Sequence, residues 1–251
     1  MADQVLFAAR VLAFLAEAAL AVQILRVGLY RQFGWLLAMC VYGCLVACIL
    51  FPFPTASRVY ALWWSYLQLG TITLHVAVAM EVAHRSREGF PRLGSAAIAI
   101  LFALLAVAAL ATLWSRQLDG MDFTFAQPVV AAVILKRHVD VALALWGILV
   151  ASFYSIAAAR GERPNVCYYR WCLISFFALE GAFYLLLMLR YKHGMPLYSA
   201  LALTPVITCF GFLAYRLSVA GNVFIPLHTK FSGLTQEELD RLYSEQPHTK
   251  R

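Results

Sequence analysis

Carboxylates and imidazoles set inside otherwise apolar segments are the groups of this chain best placed to do chemistry. Glu17 lies near the middle of one apolar block and Glu180 near the middle of another. His75 sits in a third, with Gln68 two helical turns before it on nearly the same face. An ionised acid at mid-span is disfavoured by about 2.5 to 3.5 kcal/mol on insertion scales, so such an acid is a functional candidate that faces other helices. With no basic residue expected at that depth, both acids are expected to be protonated, hydrogen-bonded, or neutralised by a bound cation or by His75. The ordinary alternative is a pair of neutral acids hydrogen-bonding between helices.

Other groupings carry weaker signals. Glu81 and His84 have the Glu-x-x-His spacing that puts both side chains on one helix face in di-iron bundles. The motif occurs once and falls at the inner edge of a block, so anchoring or loop pairing is expected there instead of metal. Lys136, Arg137, His138 and Asp140 form a polar cluster expected on the outer side, either a site for an anionic ligand or a solvated helix face. Cys40, Cys44 and Cys48 recur every four residues beside Gly43 and Ala47, which suits close helix packing better than a soft-metal site. No loop pair of cysteines resembles an extracellular disulfide framework, so free thiols are expected.

These residues must be positioned by membrane-spanning helices. The 251-residue chain is 63% hydrophobic and 13% charged, outside the range of soluble domains. A helix needs roughly 20 mainly apolar residues to cross a bilayer, because its backbone must satisfy its own hydrogen bonds there. The sequence predicts about seven such spans, at 6–24, 34–50, 60–83, 94–114, 139–159, 171–189 and 197–219. Breakers and charges mark the turns: Pro52 with Pro54, Arg85 to Arg92, Gly161 to Asn165, and His193 to Pro196. In the long connection before His138, Pro128 precedes the apolar run Val129 to Leu135; as a first-turn proline it starts the fifth helix there, projecting beyond the membrane. The fold expected is an all-α polytopic transmembrane bundle over 1–220, with a short tail over 221–251.

Basic residues set the orientation, since cytoplasmic loops retain Lys and Arg. Arg26, Arg31, Arg85, Arg87, Arg92, Arg160, Arg163, Arg170, Arg216 and Lys230 fall on one side, and Arg10, Arg58, Arg116, Lys136, Arg137, Arg190 and Lys192 on the other. The N-terminus is therefore expected outside and the C-terminus in the cytoplasm. The net charge of +7 is scattered over short loops, which points to anionic lipid headgroups and away from nucleic acid. In the tail, Thr235 and Glu238 form a capping box and Glu237 with Arg241 an i,i+4 pair. A short amphipathic helix over 236–243 is expected, either docking a cytoplasmic or membrane protein partner or lying on the bundle or headgroups.

Several chemistries find no support in the pattern. The last span has no lysine for retinal, and His75 has no partner at matching depth for a bis-histidine haem. The other histidines are divided between both sides, unlike the ligands of a zinc hydrolase. A glycine-framed serine and an inverted repeat are also missing. No catalytic residue, metal or cofactor is assigned.

The stretch Gly28-Leu29-Tyr30-Arg31-Gln32-Phe33 and the triplet Met80-Glu81-Val82 resemble segments of uncharacterised bacterial multi-span membrane proteins. That resemblance implies a multi-pass protein of the cell membrane and carries no functional residues. In span number and orientation the chain also resembles the seven-helix sensor regions of bacterial signalling proteins, without a kinase or cyclase module. Together these lead to a non-enzymatic sensor, or a partner subunit of a membrane complex. The alternative is a small-solute or proton-coupled transporter using Glu17, Glu180 and His75, and third comes an intramembrane enzyme.

Overall fold

The computed structural model describes residues 2–54, 57–89, 91–118, 127–157, 164–189, 200–219 and 221. Among them every long element is a helix: α1 (Ala2–Arg26), α2 (Gly34–Leu50), α3 (Arg58–Gly89), α4 (Pro91–Leu118), α5 (Gln127–Ala157), α6 (Pro164–Leu189) and α7 (Ala200–Arg216). The tail helix expected over 236–243 lies outside the described residues.

Local sequence explains where the helices stop. Gly28 turns the chain out of α1 at φ 73, a left-handed conformation that glycine adopts without a Cβ penalty. A single 3-10 turn, Leu29–Arg31, then leads into α2. Pro52 and Pro54 follow the end of α2, and Pro91 occupies the first position of α4, where its missing N–H costs nothing. α5 begins at Gln127, one residue before Pro128. The helix therefore extends well before the span expected at 139–159, and this changes where its charged residues lie.

Each helix packs on its neighbours in sequence, and α7 returns to α1, so the bundle closes on itself. α3 also packs across the bundle against α5 and α6. It is the helix best placed to collect side chains from several others. The core is filled by Leu20, Ile24, Phe33, Leu36, Leu101, Leu143, Trp146, Tyr169, Phe177 and Leu213. Trp146 donates its indole N–H to Ala97 O at 2.8 Å, tying α5 to α4. Small residues let backbones approach: a Cβ on Gly181 would stand 3.3 Å from Ala144 Cβ, and one on Gly147 3.4 Å from Ile174 Cα. These glycines hold α5 and α6 close, the means by which helices associate when lipid is as apolar as their side chains.

The outer faces are apolar. Phe7, Leu12, Leu15 and Val22 on α1, Val107, Leu110 and Leu113 on α4, and Leu145, Ile148 and Leu149 on α5 are all exposed. Among the described residues, three helical segments are long and apolar enough to cross a membrane: Gln4–Arg26, Arg58–Arg85 and Gly94–Trp114. At about 1.5 Å per residue, the shortest of them exceeds the roughly 30 Å hydrocarbon core. Gly34–Leu50 and Ala200–Arg216 are shorter apolar helices. A large apolar surface outside and an apolar core inside is the distribution of a membrane protein.

Candidate functional site

Lys136 and Asp140 are one helical turn apart on α5 and so share a face. That face points into the bundle, toward His75 on α3 and Glu180 on α6. Lys136 Nζ donates to Asp140 Oδ2 and to Glu180 Oε1, both at 2.7 Å. His75 Nδ1 stands on the other side of both carboxylates, 3.4 Å from Asp140 Oδ1 and 3.7 Å from Glu180 Oε2. Each carboxylate thus gives one oxygen to the ammonium and turns the other toward the imidazole. The side chains of Lys136, His75, Asp140 and Glu180 are only 4%, 4%, 0% and 12% exposed, so water contributes little to balancing their charge.

The cluster corrects the sequence-based placement. Hydropathy puts Lys136 and Asp140 on the outer side and leaves no basic residue level with Glu180. In the structure the run Val129 to Leu135 belongs to α5, which carries Asp140 to within a few residues of the helix midpoint, at the level of His75 and Glu180. Hydropathy reads Lys136 to Asp140 as a boundary because it counts charges singly; paired, they are tolerated inside. The two other members of the expected outer cluster lie apart from this group. His138 Nδ1 is 2.9 Å from the Thr112 hydroxyl of α4, and its Nε2 is 3.0 Å from Arg137 Nη2.

Aromatic rings close the site. Phe176 and Phe177 meet the His75 ring edge-on, at centroid distances of 5.4 and 5.5 Å. Phe176 stacks in turn on Phe210 of α7 at 5.3 Å. Phe210 belongs to a π-helical turn, Val206–Phe210, a widened register that recurs at functional positions in helices. An unbroken set of contacts therefore joins the charged cluster to α7.

The remaining candidates do not converge on it. Gln68 is buried, and its Oε1 meets no hydrogen-bond donor among the described residues. Glu17 has its carboxylate against the Cα of Gly43 on α2, in space that any larger residue would fill. Cys40 and Cys44 lie nearby on α2, and the Cys44 thiol donates weakly to Phe14 O at 3.9 Å. All six cysteines are free.

Glu81 and His84 part company at the end of α3. His84 is exposed. Glu81 instead accepts hydrogen bonds from the backbone N–H groups of Trp35 and Leu36 at 3.1 and 3.3 Å, and from the Tyr169 hydroxyl at 2.6 Å. A carboxylate on the first amides of α2 satisfies donors that the helix itself leaves open, and it complements the helix dipole. One turn later, Arg85 donates to Gln32 O at 3.0 Å and Arg31 O at 3.1 Å. This end of the bundle is a polar joint between α2, α3 and α6.

Nearby, Gln23 donates to Leu217 O at 2.8 Å, and the Asn165 amide donates to Ser218 O at 2.6 Å. The end of α7 is thereby held by α1 and α6. Sequence reasoning missed the joining of Lys136 to Glu180 and of Glu81 to Tyr169. The i,i+4 spacing of Lys136 and Asp140, directly after the apolar run Val129 to Leu135, was the one local signal for the first. No protein-family model, curated protein or solved structure matches this chain.

Proposed function

We propose that this chain is a seven-span protein of the cell membrane, N-terminus outside and tail in the cytoplasm, acting as a non-enzymatic sensor or partner subunit of a membrane complex. The observation that carries the reading is the buried cluster of Lys136, Asp140, Glu180 and His75, shared by α3, α5 and α6. Charges withdrawn from water on three different helices make the packing of those helices depend on what occupies the cluster. The ring contacts from His75 through Phe176 to Phe210 supply a route to α7, whose end adjoins the tail. A change at the cluster would reach a partner through that end, consistent with the likeness to seven-helix sensor regions.

The spans and their orientation are supported by the belts of exposed tryptophan. Trp63 near the start of α3 and Trp114 near the end of α4 belong to one rim, and Trp35 and Trp171 near the starts of α2 and α6 to the other. Such rims mark the two membrane interfaces. Arg26, Arg31, Arg85, Arg170 and Arg216 gather at the second rim, which is the cytoplasmic one on the positive-inside rule.

The test has two parts. Reporter fusions should place the N-terminus outside and the C-terminus inside. In reconstituted full-length protein, Asp140→Asn should alter amide hydrogen exchange around residues 213–219 while no solute or proton flux is detected. Flux through the wild-type protein would establish the carrier alternative, and unchanged exchange would reduce the cluster to a packing device.

A further inference from the structure

We propose that His75 Nδ1, Asp140 Oδ1 and Glu180 Oε2 form a site for one divalent first-row transition metal ion, with Lys136 holding the two carboxylates from behind. The inference deepens the sensor reading by naming the class of ligand that the same cluster takes. It begins with how the oxygens are divided. Lys136 occupies Asp140 Oδ2 and Glu180 Oε1 at 2.7 Å, the separation of a strong charge-assisted hydrogen bond. The other two oxygens face His75 at 3.4 Å, a long hydrogen bond to Asp140, and at 3.7 Å, both beyond that range.

Those longer separations have a simple meaning. An ion bound at about 2.0 to 2.2 Å by nitrogen and carboxylate oxygen holds neighbouring ligand atoms roughly 3 to 3.6 Å apart at octahedral to tetrahedral angles. One ligand atom from each of the three residues lies within 4.8 Å of the other two. Glu180 Oε2 is buried and accepts no hydrogen bond among the described residues, so a strong acceptor is left facing the imidazole.

Charge and ligand type narrow the occupant. Two carboxylates face one ammonium, so by formal charge the cluster has one negative charge in excess and attracts a cation. One imidazole and two carboxylates suit zinc, iron, cobalt or manganese, whereas thiolate-loving ions would prefer cysteine. Three protein ligands leave a coordination position open, as in sites that exchange or report a ligand. Lys136 acts as an outer partner that orients both acids, a role that carboxylate and amide groups play around other metal ligands. Its charge opposes the ion, which keeps binding reversible.

The experiment uses tag-free, full-length protein purified in detergent and treated with chelator. Titration with Zn2+ should show one equivalent bound per chain, with a rise in thermal stability. Co2+ should give the visible spectrum of nitrogen and oxygen ligands. His75→Gln and Asp140→Asn should each weaken binding more than about 100-fold, exceeding the 10- to 100-fold loss typical of outer-shell partners. Lys136→Met should be stabilised by Zn2+ more than the wild type is, since the ion then supplies the missing positive charge; should that variant not fold, the first two variants decide.

Absence of Zn2+ binding by the wild-type protein, binding undiminished in His75→Gln, or a cobalt spectrum dominated by thiolate charge transfer would each overturn the site. Hydrogen exchange near residues 213–219 separates the two proposals. Metal binding that leaves this exchange unchanged supports the site and removes the sensor reading. Exchange that responds to Asp140→Asn without any metal binding does the reverse.

Discussion

Glu180 and Glu17 stand at comparable places in sequence, each near the middle of a long apolar helix, yet the bundle gives them opposite surroundings. Glu180 meets an ammonium at 2.7 Å and faces an imidazole at 3.7 Å. Glu17 meets the backbone of Gly43 and the neighbouring cysteines of α2. The first acid is balanced by charge and the second is accommodated by space. Position within an apolar helix alone therefore does not define the role of a buried acid. What distinguishes the two is whether the helix facing each acid carries a cation there, and α5 does while α2 carries none.

The sharpest way to break this contrast is to remove the cation. Lys136→Met leaves Asp140 and Glu180 buried together with no ammonium between them, and should destabilise the apo protein by about 3 to 5 kcal/mol, the usual cost of removing one partner of a buried pair. Chemical or thermal unfolding in detergent reads this directly. Adding Asp140→Asn and Glu180→Gln to that variant should recover most of the loss, because neutral amides no longer need the charge. A loss unchanged by the added substitutions would mean that Lys136 acts through its packing.

A smaller effect is expected at the joint where Glu81 meets α2. Glu81→Ala frees two backbone N–H groups and the Tyr169 hydroxyl at once, and should cost about 2 to 3 kcal/mol. Tyr169→Phe removes one of those bonds and should cost about 1 kcal/mol. This acid lies between the two extremes: it is balanced first by hydrogen-bond donors, with the Arg85 cation only nearby. If Glu81→Ala were neutral, its bonds to α2 would be replaceable by water at the rim.

Much of the fold was legible because apolar blocks and their breakers obey length rules: the apolar block at 34–50 coincides with the helix α2, and Gly94–Trp114 recurs inside α4. The all-helical bundle and its membrane-compatible surface followed from the same patterns. The start of α5 was legible from Pro128, but the depth of Asp140 was not. That depth depends on Glu180, 40 residues further along the chain, and a pairing between distant residues leaves no periodic trace. His75 and Glu180 were visible as candidates by their isolation among apolar neighbours. Their joining with Lys136 and Asp140 came only from the way α3 crosses toward α5 and α6.

A Cβ on Gly43 would overlap the Glu17 carboxylate. That carboxylate ends a flexible side chain and can swing aside, so Gly43→Ala should cost only about 1 kcal/mol, the low end of overpacking. The cost should vanish in a Glu17→Ala background, where nothing fills the space, and persistence there would assign it to the α2 backbone.

Glu17→Gln should have the smallest effect of all. Glutamine keeps the volume and hydrogen-bonding reach of a protonated glutamate, so the seat against Gly43 stays filled. The change in unfolding free energy should stay within about 0.6 kcal/mol, the average strength of an interhelical hydrogen bond in a membrane. The matching substitution Glu180→Gln removes a charge that Lys136 uses, and its effect should be clearly larger under identical conditions. Equal effects for the two would erase the distinction between an acid held by charge and one held by space. A larger effect for Glu17→Gln would reverse it, and would direct attention to a cation on α1 and α2 in place of the cluster on α3, α5 and α6.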